Sequence, residues 1–265
     1  MHCVRNWSPH GENADFHLHD WLELYFFISG DVDYFVENGK YRLVFGDTLL
    51  LNSTELHKPT FRSGAPYERI VLNFDAAYAA QFSAPDFDLL ACFTGRPRGT
   101  GNLLRMNTAR TRELYDLLCR FSDVCTKPFP GDHAIRLALL LEILVLVGRA
   151  YAAQETRADA AEYHPLREVM AYIEQNLTAD LGLDALSKRF YFSKPYLCRS
   201  FKAYTGATVH SYILGKRIAA AKLLLAEGAS VTEACHGAGF NDYANFIRAF
   251  RRMTGISPGA FKKGG

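Results

Sequence analysis

The sequence predicts an α+β chain of two domains: an N-terminal β-barrel followed by helices, and a C-terminal all-α domain in which a long helix joins two helix-turn-helix units. Three observations predict it. Short apolar and aromatic runs separated by turn residues occupy residues 21–74. Long runs with helical spacing follow from residue 103. Near the C-terminus one segment is written twice: Ala185, Arg199, Phe201, Thr205 and Gly206 recur 49 residues later as Ala234, Arg248, Phe250, Thr254 and Gly255, and Lys202 returns as Arg251. The boundaries expected are a barrel over residues 1–100, a helical dimerisation segment over 101–153, a linker over 154–163 and the duplicated helical domain over 164–265.

In chain order, Trp21 to Ile28 is an apolar run too short to be assigned as a helix. Tyr34 to Glu37 and Tyr41 to Val44 flank Asn38-Gly39, a dipeptide suited to the positive φ angles of a type I′ hairpin turn. Thr48 to Leu51 and Ile70 to Phe74 are further strands, and several short strands of this kind suit a small barrel or jelly roll. His17, His19, Glu23 and His57 lie within this pattern. On an unbroken strand positions 17, 19 and 23 share a face, so two imidazoles and a carboxylate converge. Trp21, Tyr25, Phe27 and Tyr34 offer aromatic walls to a ligand, or else simply belong to the core. A carbohydrate stacks on such walls; an anion would instead meet Arg62 or Arg69.

Leu103 to Val124 and His133 to Ala152 read as two helices parted by Lys127-Pro128-Phe129-Pro130-Gly131. The second carries Ile135, Leu139, Ile143, Leu146 and Ala150 on one stripe, broadened by Leu137, Leu140, Leu141, Leu144 and Val147. That is more apolar surface than one barrel needs covered, and a homodimer interface is expected there. Tyr151 to Tyr163 reads as a linker, with Pro165 opening the next helix.

In the first copy of the repeat, Leu183 to Tyr191 is a short helix and Ser193 caps a second, Lys194 to Tyr204, with Leu197 and Phe201 buried one turn apart. In the second copy Ser230 and Glu233 form a capping box, Gly239 makes the turn, Asp242 caps, and Phe246 with Phe250 repeats the buried pair. The free faces carry Tyr196 with Arg199, and Asn245 with Arg248, flanked by Lys194, Lys202, Tyr243, Arg251 and Arg252. A helix fixed by two core residues presents its other side to a major groove, where arginine suits guanine. Between the copies Val209 to Ala226 reads as one helix with Ile213, Ile218, Ala221, Leu224 and Leu225 inside and Lys216, Arg217 and Lys222 outside. At roughly 1.5 Å per residue it spans about 27 Å, near the ~34 Å between successive groove faces.

Charge agrees with that partner. From His164 onward 14 Lys and Arg face 7 Asp and Glu, a net +7, whereas the preceding residues carry −5 within a whole-chain +2. A basic module beside an acidic one is the footprint of a nucleic-acid binder joined to something with another task. With 49% hydrophobic and 22% charged residues, the chain reads as globular throughout. His10, Glu12 and Asp15 interrupt the N-terminus before any signal-like run, and Arg136, Glu142 and Arg149 break the most apolar stretch. No membrane partner is expected, and the six cysteines, none in CxxC spacing, fit reduced thiols of a cytoplasmic protein.

The run Gly239, Phe240, Asn241, Asp242, Tyr243, Phe246, Arg248, Phe250, Arg251, Thr254, Gly255, Ser257, Pro258, Phe261 resembles the signature of AraC/XylS transcription regulators over roughly the last hundred residues. The resemblance implies that Tyr196, Arg199, Asn245 and Arg248 face bases of double-stranded operator half-sites, with Pro195 reducing what the first helix reads. Gly11, His17, His19, Glu23 and Gly30, then Gly46 and His57, resemble the two cupin motifs, with Asn52 and Thr54 replacing the inner Pro and Gly of the second. By that resemblance the barrel is cupin-like, and His17, His19, Glu23 and His57 hold a divalent metal (Zn, Ni, Fe or Mn) or bond a small-molecule effector directly. His17, His19, Trp21, Glu23, Tyr25 and His57 form the expected effector pocket. The function implied is DNA-binding transcription control by an effector; the alternative is a metal-dependent cupin enzyme carrying a DNA-binding tail.

Overall fold

The computed structural model describes residues 1–10, 16–154 and 165–264. Among the described residues seven strands come first, β1 His2–Ser8, β2 Leu22–Ser29, β3 Val32–Val36, β4 Gly39–Arg42, β5 Thr48–Leu51, β6 His57–Phe61 and β7 Tyr67–Phe74, and an eighth, β8 Leu103–Leu104, follows two short helices. They form an antiparallel sheet ordered β1-β7-β2-β5-β8 and a second ordered β4-β3-β6.

Period-two alternation sorts the side chains of the larger sheet. Leu22, Leu24 and Phe26 of β2, Leu50 of β5, and Ile70, Leu72 and Phe74 of β7 join a core shared with helices. Tyr25, Phe27, Leu49, Leu51 and Tyr67 turn the other way and meet Val32, Tyr34 and Val36 of the smaller sheet. Strand β2 is therefore covered on both faces, which is why Trp21 to Ile28 reads as a continuous apolar run.

The short helices α1 Ala76–Ala80 and α2 Ala91–Thr94 lead to α3 Thr108–Thr126 and α4 Asp132–Gln154. The helix expected from Leu103 starts later, because Leu103 and Leu104 pair with β5 and Asn107 caps α3 by accepting from Arg110 N–H. On α4, Leu139, Leu140, Ile143, Leu144, Val147 and Ala150 are buried within the chain. Most of the stripe assigned to a dimer interface thus covers the sheet and α3; Ile135 and Val145 stay exposed. The linker expectation for 154–163 falls almost entirely outside the described residues.

The hairpin turn also differs from expectation. Val36 pairs with Gly39, so the loop is Glu37-Asn38, and Glu37 takes the positive φ of 53°. Glu37 is held there by accepting from Leu56 N–H at 2.7 Å and by pairing with Arg98 at 3.0 Å.

The C-terminal domain comprises α5 Leu166–Gln175, α6 Leu183–Phe190, α7 Lys194–Thr205, α8 Val209–Ala226, α9 Val231–Gly237, α10 Tyr243–Thr254 and α11 Pro258–Gly264. The two copies share their caps. Ser193 and Asp242 each accept from the N–H three residues on, and Gly206 (φ 68°) and Gly255 (φ 81°) close α7 and α10 in the left-handed conformation. Ser230 and Glu233 form the expected capping box. Leu197, Phe201, Phe246 and Phe250 are fully buried.

The core of this domain continues into the barrel through Phe16, Leu18, Phe35 and Leu56. Here the sequence reading of α8 is corrected. Lys216 and Lys222 are buried, because the side of α8 that carries them lies against the barrel rather than water. Lys216 pairs with Glu37 and with Glu174, and Lys222 pairs with Asp20 at 2.7 Å. Leu56 packs so close to Gly215 that a Cβ there would lie 2.7 Å from its methyl.

Candidate functional site: a barrel cavity backed by a helical DNA-binding domain

Between the two sheets lies a cavity of about 530 Å³ lined by residues that include His17, Glu23, Tyr25, Tyr34, Phe61, Tyr67, Arg69 and Val71. The alternation that sends Leu22, Leu24 and Phe26 to the helices sends Glu23 and Tyr25 into this space, and Tyr67, Arg69 and Val71 of β7 likewise. The expected pocket is thus assembled in part. His17, Glu23 and Tyr25 line it, whereas Trp21 is 45% exposed and Phe27 belongs to the packed interior. Arg62 is exposed; Arg69 points inward. Tyr34, Phe61 and Tyr67 complete the walls; the alternating pattern of β7 is the sequence signal that could have found Tyr67, and Arg69 is one of the two arginines the sequence offers to an anion.

The strand assumed to align His17, His19 and Glu23 is broken. His17 forms an isolated antiparallel bridge with His57, and β2 begins only at Leu22. The irregular turn brings donor atoms of His19, Glu23 and His57 within 4.8 Å of one another, while His17 stands beside them with its ring 4.4 Å from that of His57. Three of the four expected ligands therefore converge.

The protonation pattern suits a metal. His19 Nδ1 lies 2.9 Å from the Trp21 carbonyl and His57 Nδ1 2.8 Å from the Glu55 carbonyl, so each Nδ1–H donates to backbone. Each Nε2 is left with its lone pair, buried, and without a hydrogen-bond donor. Fixing the outer nitrogen in this way is how proteins orient metal-binding imidazoles. Burial, followed by the neighbouring imidazoles, pulls His57 well below its ordinary value and keeps it neutral. Glu23 approaches His19 Nε2 at 3.0 Å. A carboxylate and two imidazoles whose Nε2 atoms lack a hydrogen-bond partner fit a divalent ion with positions left for a ligand.

Glu55 builds the loop that carries His57. Its fully buried carboxylate accepts from Arg96 at 2.6 and 2.9 Å, from Gly99 N–H at 2.8 Å, from Asn102 at 2.9 Å and from Asn52 N–H at 3.0 Å.

In the helical domain Lys194, Tyr196, Arg199 and Lys202 on α7, and Tyr243, Asn245, Arg248, Arg251 and Arg252 on α10, are all exposed. Lys194 pairs with Asp184. Both helices thus leave a cationic, partly aromatic face open while their apolar side is fixed.

A family model for an AraC-like ligand binding domain matches residues 1–118, and one for a helix-turn-helix domain matches residues 186–264. The chain is 23% identical over 255 residues to the uncharacterized HTH-type transcriptional regulator YdeC of Bacillus subtilis, covering 93% of this chain and 85% of that one. It is 29% identical over 156 residues to the HTH-type transcriptional activator RhaS of Salmonella schwarzengrund, covering 58% of this chain and 54% of RhaS, about half of that relative's length. Over 113 residues it is 31% identical to an uncharacterized HTH-type transcriptional regulator of Pseudoalteromonas carrageenovora, covering 42% of this chain and 68% of the relative. No described helix is long and apolar enough to cross a membrane. A cavity in a β-rich domain, a pair of capped helices with exposed cationic faces and these matches place the chain in the AraC family of transcription regulators.

Proposed function

We propose that this regulator couples a small molecule in the barrel to the way its helical domain holds operator DNA. One observation carries the coupling: the segments that bear the site also bear the domain interface. Along residues 16–20, His17 and His19 serve the site while Phe16, Leu18 and Asp20 meet the helical domain. Along 53–58, His57 serves the site while Leu56 packs on Gly215, Lys58 donates to the Gly206 carbonyl at 2.8 Å, and the Ser53 carbonyl accepts from Lys222 at 3.0 Å. One thickness of backbone separates ligand from α8. A ligand that prefers one setting of these segments shifts the population of domain arrangements by its differential affinity.

Tyr196, Arg199, Asn245 and Arg248 are the base-facing residues of this reading, and a homodimer is its working form, joined through the part of α4 left uncovered around Leu141, Val145 and Leu146. His19, Glu23 and His57 would hold a divalent ion, which when bound offers the ligand a Lewis-acidic contact. The tyrosine faces suit the carbohydrate expected from the sequence, whereas Arg69 points to an anion. The regulators among its relatives favour control over turnover.

The test is a gel-shift series on full-length protein with operator DNA, with and without ligand, in the wild type and in Leu56→Ala. Ligand should change operator affinity in the wild type and less in the variant. Ligand binding that leaves DNA affinity untouched would refute the coupling. Elemental analysis of untagged protein tests the ion: near-stoichiometric metal that His57→Ala abolishes is the expected result.

A further inference from the structure

Arg69 sits on β7, a strand flanked by β1 and β2, opposite Asn6 and Phe27. Its guanidinium carbon lies 4.5 Å from the centre of the Tyr67 ring, which holds the group over the cavity. Its Nη1 is buried and donates to no acceptor, and none of the ion pairs among the described residues includes it. Glu23 shares the cavity, and its carboxylate is turned toward His19 and His57. The cavity therefore holds one anion that faces the His19–His57 pair and one cation with an unmatched, desolvated donor. Leaving a charged donor unmatched in a low-dielectric space is costly, and a planar carboxylate is the acceptor whose geometry fits the guanidinium fork.

The walls narrow the rest of the ligand. The hydroxyls of Tyr25 and Tyr67 bond each other, so these residues present ring faces rather than free polar groups. Tyr34, Phe61 and Val71 add further apolar surface. An aryl or alkyl body fits against these ring and aliphatic faces, with the polar part of the lining, His17 and Arg69 among it, left for a charged group. A phosphate dianion would add two negative charges beside Glu23 against one guanidinium, whereas a monocarboxylate adds one.

We propose that the effector is a small organic monocarboxylate with an aromatic or alkyl body, its carboxylate paired with Arg69 and its body against Tyr25, Tyr34, Tyr67 and Phe61. This assignment rests on the reading of the cavity as the effector site.

The experiment uses full-length protein, thermal shift and calorimetry. The probes are monocarboxylates matched with their primary amides (benzoate and benzamide, phenylacetate and phenylacetamide, cinnamate and cinnamamide, hexanoate and hexanamide), together with arabinose, rhamnose and glucose. A carboxylate should raise Tm while its amide does not. Arg69→Gln should weaken that carboxylate about tenfold or more, and Arg69→Lys should recover part of the loss. Unliganded Tm and binding to random DNA show whether each variant is folded; if Arg69→Gln is not, the amide comparison and Arg69→Lys decide. Equal binding by carboxylate and amide, or binding by none of the carboxylates, overturns the proposal. So does a sugar bound equally by wild type and Arg69→Gln, an outcome that preserves the sensor reading. A carboxylate that binds through Arg69 without altering operator affinity has the opposite meaning: the ligand class stands and the coupling falls.

Discussion

At the scale of single residues, the charged side chains divide into those that face water and those that hold domains together. Arg248 stands exposed in the middle of the free face of α10. Arg248→Ala should cost about 1–3 kcal/mol on specific operator DNA and far less on random DNA in parallel gel shifts, since a base contact discriminates and a phosphate contact does not. Equal losses would reassign the side chain to the phosphate backbone. Lys216 is the opposite case. It lies buried between Glu37 and Glu174, with Asn38 donating to Glu174 at 2.8 Å. Burial pulls its ammonium well below the usual lysine value and pushes Glu174 up, so the group is costly to hold and costlier to break. Lys216→Ala should destabilise the protein by about 3–5 kcal/mol in denaturant unfolding. Adding Glu174→Gln should recover part of that loss, because it removes one of the stranded charges.

At the scale of elements, the duplicated helices were legible because their signals are local. Caps, left-handed glycines and buried pairs one turn apart lie within a dozen residues of each other, and α7, α8 and α10 fall where the sequence puts them. Ser230→Ala tests how much one such signal contributes: loss of the capping box should cost about 1 kcal/mol in thermal unfolding, with faster amide exchange at the start of α9. The strands were less legible because their signals depend on what covers them. β2 is buried on both faces and shows no alternation; β1 and β6 gave no reading at all. Lys216 and Lys222 were placed in water because a lysine on an Ala- and Leu-rich helix ordinarily is; only the barrel, far away in sequence, makes them interior. In the site, residue types and spacing brought His19, Glu23 and His57 to notice, whereas Arg69 gains its meaning from the alternation of β7 and an orphaned donor that no sequence displays.

At the scale of the whole molecule, two interior layers are joined by a third. Side chains of the larger sheet build one core with α3 and α4 and another with the smaller sheet, and the helical domain's core reaches into the barrel through Phe16, Leu18, Phe35 and Leu56. Such continuity predicts that the domains do not melt independently. Leu56→Ala should lower the Tm of the main transition, by an amount matching a loss of about 2–4 kcal/mol, and should expose a second, separate transition in calorimetry. A single unshifted peak would show that the apolar contact contributes little to holding the halves together.

Lys58 of the barrel rests on the Gly206 carbonyl, at the end of α7, whereas α10 packs on α8, α9 and α11. The duplication is therefore symmetric in sequence but lopsided in its mooring: one gripping rod is tethered to the chemical detector, its twin reaches it through intermediaries. A nuclease footprint of the full-length protein should accordingly show one half-site whose protection varies with the small molecule and another that stays constant, one fixed anchor beside an adjustable one.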